Sequence, residues 1–313
     1  FLVCIAILAL SSLEVSGQQF HSPKDSLEYY FEQALTNRHQ NRIAPAMEAL
    51  EKASRLAEKE EDLKALLDTF HKMALLYLAI DDRETTLFYW DRAGVLLKDT
   101  EYPYGDAVHQ FIDATLLYRS GNNFQALNEL EEAKKLSNDK NLLNNILLAE
   151  GNVFLNIEKF EEASVNYNAL LVNSDEKERA YLATKANLGL ASLYEKQDKY
   201  EESIKHAEAA LQLSMTNYYF KDIVDASDFL AGLYEKTGNY RKSLSFNKGL
   251  TKIKDSLFTI DKVKLEAKTA DKIRFEQQSK TINELQSENE ELRASANRSD
   301  ITAILTSAFL VII

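Results

Sequence analysis

Short side chains recur along this chain on a period close to 40 residues, and that recurrence limits the folds open to it. Ala34, Ala46 and Ala53 open a series in which the second and third members lie 12 and 19 positions after the first. Ala74, Thr86 and Ala93 repeat it, as do Ala114, Ala126 and Ala133. Gly151, Ala163 and Leu170 follow, then Ala191, Ser203 and Ala210, then Ala231, Ser243 and Leu250. Successive sets are offset by 40, 40, 37, 40 and 40 residues. Two antiparallel helices approach closely only where a side chain is short, so each set predicts one helix pair with its contact points. Large residues fill the space beside those points. Tyr77, Phe154, Tyr194 and Tyr234 lie three after the first small residue, and Trp90, Leu130 and Tyr167 four after the second. Spacings of three and four place both on one buried helix face.

Composition supports helices. Glycine and proline together number 12 of 313 residues (9 and 3), against roughly 12% in average usage. All-β folds need turn residues at short intervals and are thereby disfavoured. Turns are expected at Asp81-Asp82, Ser120-Gly121-Asn122, Asp198-Lys199 and Thr237-Gly238-Asn239. Pro45 falls near the start of a second helix, where a missing N–H is tolerated, and Pro103 is expected in a loop between two units. The fold class predicted is all-α: an α-solenoid of about six helix pairs over residues 27–255.

The segments LASLYEKQDKYEESIKHAEAAL (190–211) and LAGLYEKTGNYRKSLSFNKGL (230–250) carry a Leu-Ala, Tyr, Gly/Asp-x-Tyr and Ala/Ser pattern. In this the array resembles the tetratricopeptide repeat, most closely in units three to six, and the resemblance implies a right-handed superhelix. That family has a period of about 34, so longer helices or inter-unit loops are expected here. The closing proline of the family is absent.

The two ends differ from the middle. Residues 1–10, FLVCIAILAL, carry no charge and precede small residues, as the core of a secretory signal peptide does. Residues 1–17 are read as that peptide without its basic start, and 18–26 as a linker. Residues 301–313, ITAILTSAFLVII, are read as the start of a transmembrane helix. Between array and span, residues 256–300 hold a heptad with Phe275, Ile282, Asn289 and Ala296 at a, and Gln278, Leu285 and Leu292 at d. Asn289 favours a two-stranded parallel coil. Dimerisation is therefore assigned to Phe275, Ile282, Leu285, Asn289 and Leu292. This order places the chain on the inner membrane, with array and coil in the periplasm.

No catalytic signature is present. The phosphate-binding glycine loops, the H-E-x-x-H zinc motif and the G-x-S-x-G elbow do not occur. His21, His39, His71, His109 and His206 lack ligand spacing, and Cys4 is the single cysteine, so no metal and no cofactor are expected. A net charge of −12 disfavours nucleic acid. Stacked helix pairs present a concave face lined by the first helix of each pair. The register assigns to it His71, Leu75, Phe111, Thr115, Tyr118, Arg119, Asn152, Asn156, Ser192 and Glu195. Aromatic, amide and charged groups together suit an extended peptide or a partner helix. Family members that clamp a C-terminal carboxylate use a Lys and Asn pair. The matching positions are Leu148 and Asn152, with Gly189 in the next unit, a departure from that pattern.

The whole order looks like the sensor half of the Bacteroidetes-type tetratricopeptide membrane regulators. That resemblance implies a non-catalytic binding region with its output domain outside this chain. The output would be a histidine kinase or, alternatively, a helix-turn-helix transcription regulator. A membrane-anchored periplasmic scaffold and a soluble chaperone-type adaptor are the rival readings.

Overall fold

The structure is a computed structural model, and it describes residues 22–173 and 178–249. Eleven helices are bounded among them: α1 (Pro23–His39), α2 (Ile43–Lys59), α3 (Leu63–Ala79), α4 (Arg83–Leu97), α5 (Pro103–Arg119), α6 (Asn123–Leu136), α7 (Lys140–Asn156), α8 (Phe160–Asn173), α9 (Arg179–Lys196), α10 (Tyr200–Asn217) and α11 (Phe220–Lys236). Residues 240–249 continue as a further helical run, and no strand occurs among the described residues. The described residues all fall within one unit of the chain, Phe1–Leu257.

The period comes straight from helix lengths. α1 and α2 have 17 residues each, and each is followed by a three-residue turn. The 37-residue interval arises where α6 shortens to 14 residues. Every within-pair turn uses one left-handed residue: Asn41, Asp81, Gly121, Glu158, Asp198 and Gly238. These follow the same 40, 40, 37, 40 and 40 spacing as the small residues. The left-handed step lets the chain reverse within three residues, and four of the six positions accept it without glycine.

The small residues lie where the helices cross. Ala46, Ala53, Ala74, Thr86, Ala93, Ala126, Ala133, Ala163, Ser203 and Ala210 are all fully buried. Tyr77, Leu130 and Tyr167 are buried beside them, while Trp90, Phe154 and Tyr194 are half-buried. Ser203 donates to the Ala191 carbonyl oxygen at 2.7 Å, a side-chain bond that ties α10 to α9 at the contact point.

Two expectations need correction. Pro103 does not sit in a loop; it opens α5, where a fixed φ and a missing N–H both suit the first helical position. The inner-membrane placement, and with it the membrane as a partner, is overturned: among the described residues no helix is long and apolar enough to cross a membrane. The segments read as signal peptide (1–17), coil (256–300) and span (301–313), with Phe275, Ile282, Leu285, Asn289 and Leu292, lie outside the described residues.

Candidate functional site

The first helices of the pairs share one side of the array. α1, α3, α5 and α7 wall a cavity of about 680 Å³, and Glu178, just ahead of α9, joins its lining. That volume falls within the roughly 300–1,000 Å³ of ordinary ligand sites. The array curves far enough that its first helix meets its ninth. The His39 ring at the end of α1 stacks on Tyr181 of α9, centroids 3.8 Å apart, and meets Tyr219 edge-on at 6.1 Å.

Apolar and charged groups alternate on the wall. Phe31, Leu35, Leu75 and Phe111 supply apolar surface, and Arg38, Asp68, Lys72, Asp139 and Glu178 supply charge. The acids are engaged. Asp68 accepts from the Tyr102 hydroxyl at 3.0 Å. Asp139 caps α7 by accepting the Leu142 amide at 2.8 Å. Glu178 accepts from Asn145 Nδ2 at 3.3 Å. Burial pushes the Asp68 carboxyl up, against the opposing pull of Lys72 and Tyr102. It pushes Glu178 up as well, against Arg38 and Asn145.

His71 reaches the wall from a buried stack. Its Nε2 lies 3.3 Å from His109 Nδ1, so the two rings share one hydrogen. The Trp90 indole lies flat on His109 at 4.3 Å and donates to its carbonyl oxygen at 3.2 Å. Burial, then the neighbouring His109, takes His71 down to about 3, and burial takes His109 down to about 4. Both rings are therefore neutral at physiological pH. His71 Nδ1 is buried without a hydrogen-bond partner.

Of the ten residues assigned to the concave face, the structure brings His71, Leu75 and Phe111 together on the cavity wall. Several of the others tie one unit to the next. Arg119 pairs with Asp81, Asn156 donates to Asn123 Oδ1 at 3.2 Å, and Glu195 accepts from Lys236 at 2.6 Å. Asn152 accepts from the buried Tyr167 hydroxyl at 2.9 Å. Thr115 turns its hydroxyl back to the Phe111 carbonyl oxygen, and Tyr118 packs on the core. Ser192 is half-buried. Arg38, Asp68, Lys72, Asp139 and Glu178 escaped the sequence reading. Asp68, His71, Lys72 and Leu75 share a face at spacings of three and four, which was a signal available in α3. Among the described residues no three of His, Cys, Asp or Glu are grouped to hold a metal ion.

Fold and wall define an array of paired helices with a ligand-sized cavity on the side of its first helices. Residues 184–216, within α9 and α10, match the Tetratricopeptide repeat family. No curated protein matches the chain in sequence. Among solved structures, the chain resembles the Rap protein complexed with Competence and Sporulation Factor. That match has 16% identity over 78% of this chain and 79% of the other, with a TM-score of 0.53. It also resembles BtubC (BKLC) from P. vanneervenii, at 20% identity over 70% and 92%, TM-score 0.48. A signal transduction ATPase with a tetratricopeptide repeat sensor from Pyrococcus horikoshii matches at 20% identity over 75% of this chain and 36% of the other, TM-score 0.47.

Proposed function

We propose that this chain is a non-catalytic binding protein that takes a peptide or a protein segment on the face lined by its first helices. The cavity walled by α1, α3, α5 and α7 carries the reading. Its mixture of aromatic, aliphatic and charged groups suits an extended segment, which offers side chains and backbone together. The Rap protein with the same helix-pair fold is complexed with Competence and Sporulation Factor, in keeping with a binding role. The test is hydrogen exchange on the full chain with peptides selected from a random display library. Protection should fall on α1, α3, α5 and α7, and Phe111→Ala should weaken binding at least tenfold. Protection confined to α2, α4 and α6 would overturn the assignment.

A finer role in signalling is proposed with it. Binding would bias two arrays joined through residues 256–300, and an output domain outside this chain would respond, as a histidine kinase or a transcription regulator. The heptad through Phe275, Ile282, Leu285, Asn289 and Leu292 supports it. Sedimentation of the full chain as a dimer, turned monomeric by Leu285→Lys, is the expected result; a wild-type monomer would reject the joint.

A further inference from the structure

A small aromatic contact ties the first helix pair to the fifth. α1 packs along its length on α2 and α3. Its last residue, His39, is buried, yet rings from far along the chain cover it. Tyr181 of α9 lies flat on the imidazole, and Tyr219, just ahead of α11, meets it edge-on. The two tyrosines meet each other edge-on at 5.7 Å. In a solenoid each repeat touches its neighbours, and this contact skips the units between. It stands where α1, which lines the cavity as far as Arg38, comes up against the start of α9, where Glu178 lines it.

The imidazole is set up to be neutral. Arg38 Nη2 lies 3.4 Å from His39 Nε2. A guanidinium only donates, so Nε2 accepts and the ring hydrogen sits on Nδ1. A second proton would set two donors against each other. The acids on the facing elements are engaged elsewhere. Asp222 of α11 is held by Lys185 of α9, and Asp225 pairs with Lys221. Glu178 accepts from Asn145 and is drawn to Arg38 and Lys72. Burial, Arg38 and Lys185 all oppose an imidazolium, and they take the pKa from 6.5 to about 2. A ring released into water regains an ordinary affinity for protons.

We propose that this contact is an acid-released latch on the cavity: protonation of His39 expels its ring from between Tyr181 and Tyr219, and the first helix pair swings away from α9 and opens the space between them. Calling the opening a gate rests on the reading of the cavity as a binding site. The sign follows from linkage, since the open state binds the proton that the closed state refuses. Below pH 6.5 the open share should rise by up to about tenfold per pH unit while it is the minor state.

The test places nitroxide labels at Thr36→Cys on α1 and Lys196→Cys on α9, both exposed, in the full chain carrying Cys4→Ser. Double electron–electron resonance should give one distance at pH 7.5 and add a longer one at pH 5.5, with the far-UV helical signal unchanged. Tyr181→Ala should show the longer distance already at pH 7.5, and His39→Phe should hold the short one at both values. His71 and His109 titrate in the same sense and remain in His39→Phe, so loss of the response there assigns it to His39. A wild-type distance unchanged at pH 5.5 would overturn the latch. So would a longer distance that appears equally in His39→Phe, one that appears only as helicity is lost, or a Tyr181→Ala distance equal to wild type. None of these outcomes touches peptide binding, which stands or falls with the protection of α1, α3, α5 and α7.

Discussion

Helix packing is tight around Tyr167. Its ring is fully buried between α7 and α9, against Gly151 on one side and Gly189 on the other. A Cβ built on Gly189 would lie 2.4 Å from Tyr167 Cζ, and one on Gly151 would lie 2.8 Å from Cε1. Glycine in a helix interior costs about 1 kcal/mol relative to alanine. Here the cost is accepted because the ring needs the space. Gly189→Ala should therefore destabilise by about 1–3 kcal/mol, the usual effect of overpacking. Gly232 in α11 has no heavy atom within 4 Å of such a Cβ, so Gly232→Ala should stabilise by about 0.5–1 kcal/mol. Denaturant midpoints of the two variants, moving in opposite directions, check the argument. The positions of Gly151 and Tyr167 were legible in the small-and-large pattern. That one ring fills the space of two glycines was not, because Gly189 lies outside the three marked positions of its unit.

At the scale of helices, adjacent units are joined by packing and by ion pairs, and among the described residues the most buried of these pairs links α9 to α11. Lys185 of α9 donates to Asp222 of α11, whose side chain is 3% exposed. Burial alone would lower the Lys185 pKa, but Tyr181 and Asp222 raise it above the ordinary lysine value. Lys185 therefore keeps its charge, and the two partners depend on each other. Removing one partner strands the other. Asp222→Ala should cost about 3 kcal/mol, while Lys185→Met with Asp222→Leu should recover most of the loss. Urea titration of the single and double variants measures the difference; equal losses in both would show that packing, not charge, is at stake. Sequence periodicity located α9 and α11 but not this pair, since polar spacing across units follows from how helices are rotated about their axes.

For the array as a whole, the contact of α1 with α9 and with Tyr219, just ahead of α11, is the closing feature. His39 is held between Tyr181 and Tyr219. Burial, then the charges of Arg38 and Lys185, takes its pKa from 6.5 to about 2. His71 and His109 are lowered too, to about 3 and about 4. The folded state thus refuses protons that the unfolded chain accepts below pH 6.5. Stability should be level above pH 7 and should fall as pH drops through 6.5. The limiting slope is about 1.4 kcal/mol per pH unit for each histidine. Asp68 and Glu178, raised by burial, act in the opposite sense at the acid end, since the fold protonates them before the unfolded chain does. Denaturation midpoints at pH 7.5, 6.5 and 5.5 should show the fall. His39→Phe, which keeps a ring against Tyr181, should reduce it, and an unchanged slope in that variant would locate the effect elsewhere.

By itself the sequence determined the unit: two helices of set length, short residues where they cross, a tight turn between them, and a period that follows by addition. Those are contacts between near neighbours, and a local pattern is enough to specify them. Only the tertiary structure decided where the curved array brings α1 against α9, and which charges face the cavity. Each unit adds a small rotation to the next, and that rotation is set by side-chain packing at every crossing. No single interval in the sequence records the sum. Arg38 and Glu178, far apart along the chain, line one cavity because those rotations accumulate over four units.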